Sequence, residues 1–207
     1  MLSGIYAISD TTLTPNVTQA LKTAIKGGIA LFQLRDKTSK DVALAPLCEN
    51  LQRICKESGV TFVLNDRIEL AKSLAIEALH IGKKDDIAPY SLHELEQVRK
   101  DYHGILGISC YGDLNLAKNA LQAGADYIAF GACFASKTKP NAKTIDLNIF
   151  HQAKEFGIPL CAIGGIDTTN IHCLKEADMV ACVRSIWEGD IIQNIKELKE
   201  KWGKECN

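Results

Sequence analysis

Short apolar runs alternate with longer segments of helical periodicity along the whole chain. The order is GIYAIS, NVTQALKTAIKGG, IALFQLRDK, a helical stretch through KESGV, TFVLND, ELAKSLA, EALHIG, LHELEQVRKDY, ILGIS, LNLAKNALQAG, DYIAFG, LNIFHQAKEFG, PLCAIGG, TNIHCLKEA, MVACVRSI and IIQNIKELKEKWG. Short runs that are apolar on both sides suit parallel strands buried on both faces. Eight such runs occur, each followed by a helical segment. Gly27 and Gly28, Gly59, Gly124 and Gly157 fall just past helical segments, where a residue free to adopt positive φ stops a helix. This rhythm predicts an α/β fold, a (β/α)8 TIM barrel with parallel strands, spanning 1–207 as a single domain. An open doubly wound sheet is the alternative.

Composition supports a packed core: 46% of residues are hydrophobic, 24% are charged and only 5 are Pro. The 24 basic and 25 acidic residues nearly cancel, with no Lys/Arg stripe of the kind a phosphate-backbone binder needs, so nucleic acid is not an expected partner. Eight cysteines are many for this length, but none are paired as CxxC and several lie inside apolar runs. They read as buried thiols in a reducing compartment. The start, MLSGIYAISDTT, lacks a basic stretch followed by an apolar one, and no apolar run is long enough to span a bilayer. A cytoplasmic protein without a membrane partner is expected, and a homo-oligomer stays open.

In a barrel of this kind the chemistry belongs at the carboxyl ends of the strands. Those ends are polar here. In QLRDK, alternation sends Gln33, Arg35 and Lys37 to one face and Leu34 and Asp36 to the other. Two cations and an amide sharing one space suit an anion, bidentate on the guanidinium. Local ion pairs, such as Arg35 with Asp66, are the plainer alternative.

Asp66 and Asp85 follow successive strands at a spacing that one intervening helix fills, which brings both carboxylates to the same mouth. Two carboxylates with room left for water and phosphate suit Mg2+. Each could equally cap a helix or turn. Further on, SKTKP (136 to 140) supplies hydroxyls and ammonium groups. Gly164 and Gly165 would let backbone N–H groups approach a phosphate, beside Val183, Arg184 and Ser185. His80, inside ALHIG, reads as a satisfied core histidine, and the other histidines show no ligand spacing.

QLRDK, LND, HIGKKD, GISCY, AGADYIAFG with SKTKP, and AIGGI, in that order and over nearly the whole chain, resemble the thiamine phosphate synthase family. The resemblance implies a (β/α)8 barrel that joins a pyrimidine methyl diphosphate to a thiazole phosphate with Mg2+, releasing pyrophosphate. It implies that Gln33, Leu34, Arg35, Asp36 and Lys37 meet the pyrimidine diphosphate, with Asn65 beside them. Asp66 and Asp85 would hold the metal. Ser109 and Lys139 would face the same diphosphate, while Ser136, Thr138, Gly165 and the backbone around Val183 and Arg184 would hold the thiazole phosphate, with Lys137 also among the substrate-binding residues. Arg35, Lys37 and Lys139 would carry the catalytic charge stabilisation. One departure stands at the last strand: where the family often shows Ser after the apolar residue, this chain has Arg184, with Ser185 next.

A related thiazole tautomerase and a non-catalytic thiamine phosphate binder are the rivals. Tautomerase relatives tend to lose the acid after the strand-three Asn and to carry a His after strand five. This chain keeps Asp66 and has Cys110 and Tyr111 there.

Overall fold

The computed structural model describes residues 2–84, 87–135 and 143–203. Its strands and helices run β1 (Gly4–Ile8), α1 (Val17–Gly27), β2 (Leu31–Leu34), α2 (Asp41–Glu57), β3 (Thr61–Asn65), α3 (Ile68–Ser73), β4 (Ala78–Ile81), β5 (Lys83–Lys84), β6 (Ala88–Pro89), α4 (Leu92–Asp101), β7 (Ile105–Tyr111), α5 (Leu114–Gln122), β8 (Tyr127–Phe130), α6 (Asn148–Ala153), β9 (Leu160–Ile163), β10 (Met179–Cys182), α7 (Arg184–Trp187) and α8 (Ile191–Trp202). Eight parallel strands close into a barrel in the order β1-β2-β3-β4-β7-β8-β9-β10, while β5 and β6 form a small antiparallel pair outside it. The open sheet is thereby excluded.

Local chemistry sets the element ends. Asn16 accepts the Gln19 N–H at the start of α1, and Gly28 ends that helix at φ 88°. Ser91 and Glu94 form a reciprocal capping box on α4. One expected helix does not form: in TNIHCLKEA only Ile171–Cys173 make a single 3-10 turn. Asp167 takes the N–H and hydroxyl of Thr169, and Asn170 takes the N–H of Asp167, so side chains claim the donors a helix start would use.

Strand alternation builds two cores. Phe32, Phe62, Leu64, Leu79, Leu106, Ile128 and Phe130 point outward beneath the helices. Tyr6, Leu31, Val63, Ala78, Tyr127, Cys161 and Met179 fill the lumen. Gly107 belongs to the lumen, because a Cβ there would lie 2.0 Å from the Tyr127 ring. Six of the cysteines, Cys48, Cys55, Cys110, Cys133, Cys161 and Cys182, are buried free thiols, and Cys173 is partly buried. Burial raises the Cys55 thiol to about 12.

Candidate active site

A cavity of about 1610 Å³ opens where the strands end. It exceeds the roughly 300–1,000 Å³ of an ordinary ligand pocket, leaving room for two small molecules. Gln33, Arg35 and Lys37 line it together, as alternation along β2 predicts. Leu34 does not: it packs in the outer core. Nor does the Asp36 side chain, whose Oδ1 accepts the N–H groups of Thr38 and Ser39 and closes the turn after β2. Burial works against its charge, but the bonds from Ser39 and Thr38 outweigh this and bring the carboxyl to about 2. The same turn is tied from beyond β3, where Arg67 Nη2 donates to the carbonyls of Asp36 and Ser39 at 2.8 Å each. The loop carrying Arg35 and Lys37 is thus anchored at its base.

Asp66 is not a helix cap. Arg67 occupies the N-cap of α3 and makes no side-chain cap bond. Asp66 itself sits at φ 59°, a left-handed conformation that Asp tolerates better than most residues. Its N–H donates to the His80 carbonyl, and its Oδ1 accepts the Gly82 N–H at 3.0 Å across the gap between β3 and β4. Oδ2 accepts from Asn65 Nδ2 at 2.6 Å. The carboxylate is therefore aimed over the mouth, and among the described residues no ion pair joins it to Arg35. Each oxygen keeps a free lone pair beside the Asn65 amide, a hard oxygen donor set that suits Mg2+ retaining several waters. Asp85 lies outside the described residues. Among those described, no group of three or more His, Cys, Asp or Glu forms a metal cage.

On the opposite rim, Gly164 and Gly165 adopt φ 102° and 66°. A Cβ on Gly165 would stand 2.3 Å from the Phe134 carbonyl oxygen, so only glycine fits there. Val183, Arg184 and Ser185 line this side too. Arg184 is engaged by Glu188 one turn on. Ser185 Oγ, by contrast, is buried without a hydrogen bond of ordinary geometry. The under-satisfied hydroxyl at the end of β10 is thus that of Ser185, next to Arg184, with the Cys182 thiol as its neighbour. Ser136, Lys137, Thr138 and Lys139 lie outside the described residues.

Some lining residues were not expected from sequence. His80 is 8% exposed, with Nδ1 2.9 Å from Tyr127 Oη and Nε2 2.8 Å from Ser109 Oγ. It is satisfied, as a core histidine should be, yet it also lines the cavity. Burial lowers its pKa to about 4, so the ring is neutral at physiological pH. Tyr6 lines the cavity floor, and burial raises its phenol pKa. Ser109 and Tyr111, two residues apart on β7, share the inward face and both line the cavity, and Lys83 Nζ rests 5.4 Å from the Tyr111 ring centroid. An available signal was a polar side chain in the inward-facing parity of an otherwise apolar strand.

The family model described as thiamine monophosphate synthase matches residues 5–186. The chain belongs to this family. The thiamine-phosphate synthase of Wolinella succinogenes is 43% identical, covering 97% of this chain and 94% of that protein. The thiamine-phosphate synthase of Marinobacter nauticus is 37% identical, covering 90% and 83%. Among solved structures, thiamine phosphate pyrophosphorylase from Pyrococcus furiosus superposes with a TM-score of 0.83 at 24% identity, covering 97% and 95%. That likeness speaks for the fold alone. The 3-keto-L-gulonate-6-phosphate decarboxylase from Vibrio cholerae shares the barrel with a TM-score of 0.71 at 15% identity, so the barrel by itself does not choose a reaction.

Proposed function

We infer that the protein is a thiamine-phosphate synthase: it joins 4-amino-2-methyl-5-pyrimidinylmethyl diphosphate to 4-methyl-5-(2-phosphoethyl)thiazole, giving thiamine phosphate and pyrophosphate. Within a family matched over residues 5–186, the observation that carries this reading is the Asp66 carboxylate. Gly82 holds it over a cavity that Arg35 and Lys37 also line. An acid held among cations suits a metal-bound diphosphate better than a neutral substrate.

In the reaction the bond from the pyrimidine methylene to the diphosphate oxygen breaks, and its electron pair leaves with pyrophosphate. The amino-substituted ring delocalises the resulting positive charge, and the thiazole nitrogen then forms the new C–N bond. No proton transfer is required, so catalysis rests on positioning and on stabilising departing charge. Arg35 and Lys37 meet the diphosphate, and Gln33 and Asn65 orient the pyrimidine side. Gly165 and Ser185 supply donors to the thiazole phosphate. Lys139, Ser136, Lys137 and Thr138 complete the set by resemblance. Asp66, with Asp85 by resemblance, would hold Mg2+, which when bound would neutralise charge on the leaving diphosphate.

The test is conversion of the two substrates together. Thiamine phosphate and pyrophosphate should appear in equal amounts, with neither substrate turned over alone. Isomerisation of a thiazole phosphate without pyrophosphate would move the protein to the tautomerase reading, and saturable thiamine phosphate binding without turnover would make it a binder.

A further inference from the structure

The lumen carries a continuous hydrogen-bond chain that the condensation chemistry does not itself demand. Gln33 Nε2 donates to Tyr6 Oη at 2.6 Å, and Tyr6 Oη lies 3.1 Å from Tyr127 Oη. Tyr127 Oη is 2.9 Å from His80 Nδ1, and His80 Nε2 is 2.8 Å from Ser109 Oγ. Both ends, Gln33 and Ser109, line the cavity, whereas Tyr127 is fully buried. The two ends are thus connected beneath the ligand space.

Such a chain has a direction. A neutral imidazole has one N–H, so a ring that accepts at Nδ1 must donate at Nε2. With Gln33 donating to Tyr6, the Tyr6 hydroxyl donates to Tyr127, Tyr127 donates to His80 Nδ1, and His80 Nε2–H donates to Ser109. Each buried hydroxyl and imidazole proton of the chain then has an acceptor. Reversal from Tyr127 would leave Tyr6 accepting from both Gln33 and Tyr127, so its own proton would have to leave the chain for the cavity floor, whereas the forward direction keeps each buried hydroxyl proton within the chain. In this direction the Ser109 hydroxyl proton is free to point into the cavity that Ser109 and Gln33 both line, and with Nε2 taken by Tyr6 the Gln33 carbonyl oxygen is left to accept.

We propose that His80 is a positioning residue: as the Nε2–H tautomer it passes the orientation of the Gln33 amide across the lumen to Ser109, which then presents a donor to the bound diphosphate. The ligand in this statement rests on the synthase reading. The polarity suits it at both ends, because an anion wants the Ser109 proton and an exocyclic amino group wants the Gln33 oxygen. A reversed chain would aim Ser109 lone pairs at the anion. Hydrogen bonds in one direction also reinforce one another, so the donor is oriented before the ligand arrives.

The tautomer is measured by nitrogen-15 NMR of the histidine-labelled full chain at neutral pH, with His80→Asn assigning the signals. Proton on Nε2 and none on Nδ1 is the expected state; proton on Nδ1, or an even mixture, overturns the proposal. This arm needs no turnover, so it stands even if the synthase reading fails. Kinetics supply the second arm. Tyr127→Phe should lower kcat for pyrophosphate release about tenfold while KM for the diphosphate stays within about threefold. Adding it to Ser109→Ala should cost nothing more, because both changes interrupt one relay. Independent, multiplying losses would show that the relay does not act through Ser109. Absence of wild-type pyrophosphate release would sink the synthase reading instead, and the coupling would then be read from inorganic pyrophosphate affinity in the same variants.

Discussion

The two faces of the same strands are built differently. Outward, Phe32, Phe62, Leu64 and Phe130 form a continuous apolar layer under the helices; inward, Tyr6, Gln33, His80 and Tyr127 bring polar groups into an enclosed space and satisfy one another. β2 shows the contrast within four residues, with Phe32 and Leu34 on the outer side and Leu31 and Gln33 on the inner. Hydrophobic burial is non-directional and tolerant of substitutions that conserve volume, whereas a hydrogen-bond chain is specific and intolerant of a missing partner. Stability therefore resides mainly in the outer layer and ligand orientation mainly in the inner one.

That division can be broken from either side. The largest stability effect is expected outside: Phe62→Ala removes a fully buried ring stacked at 6.5 Å from Phe32 and should cost about 3–5 kcal/mol in denaturant unfolding. Its kcat per folded molecule should match wild type; a matching loss of kcat would mean that the layers are not separable.

Next comes acid sensitivity of the inner layer. His80 has a folded pKa of about 4, below its ordinary 6.5, so the unfolded chain binds more protons between these values. Its neutral form contributes full stability above pH 6.5, and that contribution is lost as pH falls toward 4. The loss amounts to about 3 kcal/mol. Unfolding of wild type and His80→Asn across this window should show a steeper slope in wild type, and parallel curves would contradict the burial of a neutral ring.

The smallest stability effect pairs with a clear functional one. Gln33→Leu should change stability by only about 1–2 kcal/mol, the loss of one donor to Tyr6 being offset in part by apolar burial. It should raise KM for the pyrimidine diphosphate by about tenfold or more. Steady-state kinetics beside a melting curve check both.

The barrel was legible because its strands are short apolar runs, with a helix following every one but β9, and glycines end several of the helices. The site was legible where alternation alone decides, as at Gln33, Arg35 and Lys37. Elsewhere the deciding contacts are long-range. Leu34 and Asp36 sit in the same segment, but one packs outward and the other folds onto its own turn. The orientation of Asp66 depends on the Gly82 N–H, which only the β3–β4 pairing brings close. His80 looks like core in ALHI; that it faces the lumen follows from its register with Asn65 and Gly107. The Tyr6–Tyr127 contact joins residues 121 positions apart. Arg184 drew attention by its charge, yet Glu188 engages it and leaves Ser185 as the unsatisfied group.

The central claim is that Asp66 faces the mouth to hold a metal on a leaving diphosphate. Pyrophosphate release, measured against Mg2+ concentration for wild type and Asp66→Asn with both substrates present, tests it most directly. Asn tolerates the left-handed backbone at this position and keeps one oxygen for the Gly82 N–H, so the change removes one charge and the acceptor facing Asn65 Nδ2. The account predicts a saturable Mg2+ requirement in wild type and, in the variant, a half-saturating concentration raised at least about tenfold with a lower maximal rate. Superimposable Mg2+ curves for the two proteins would contradict it.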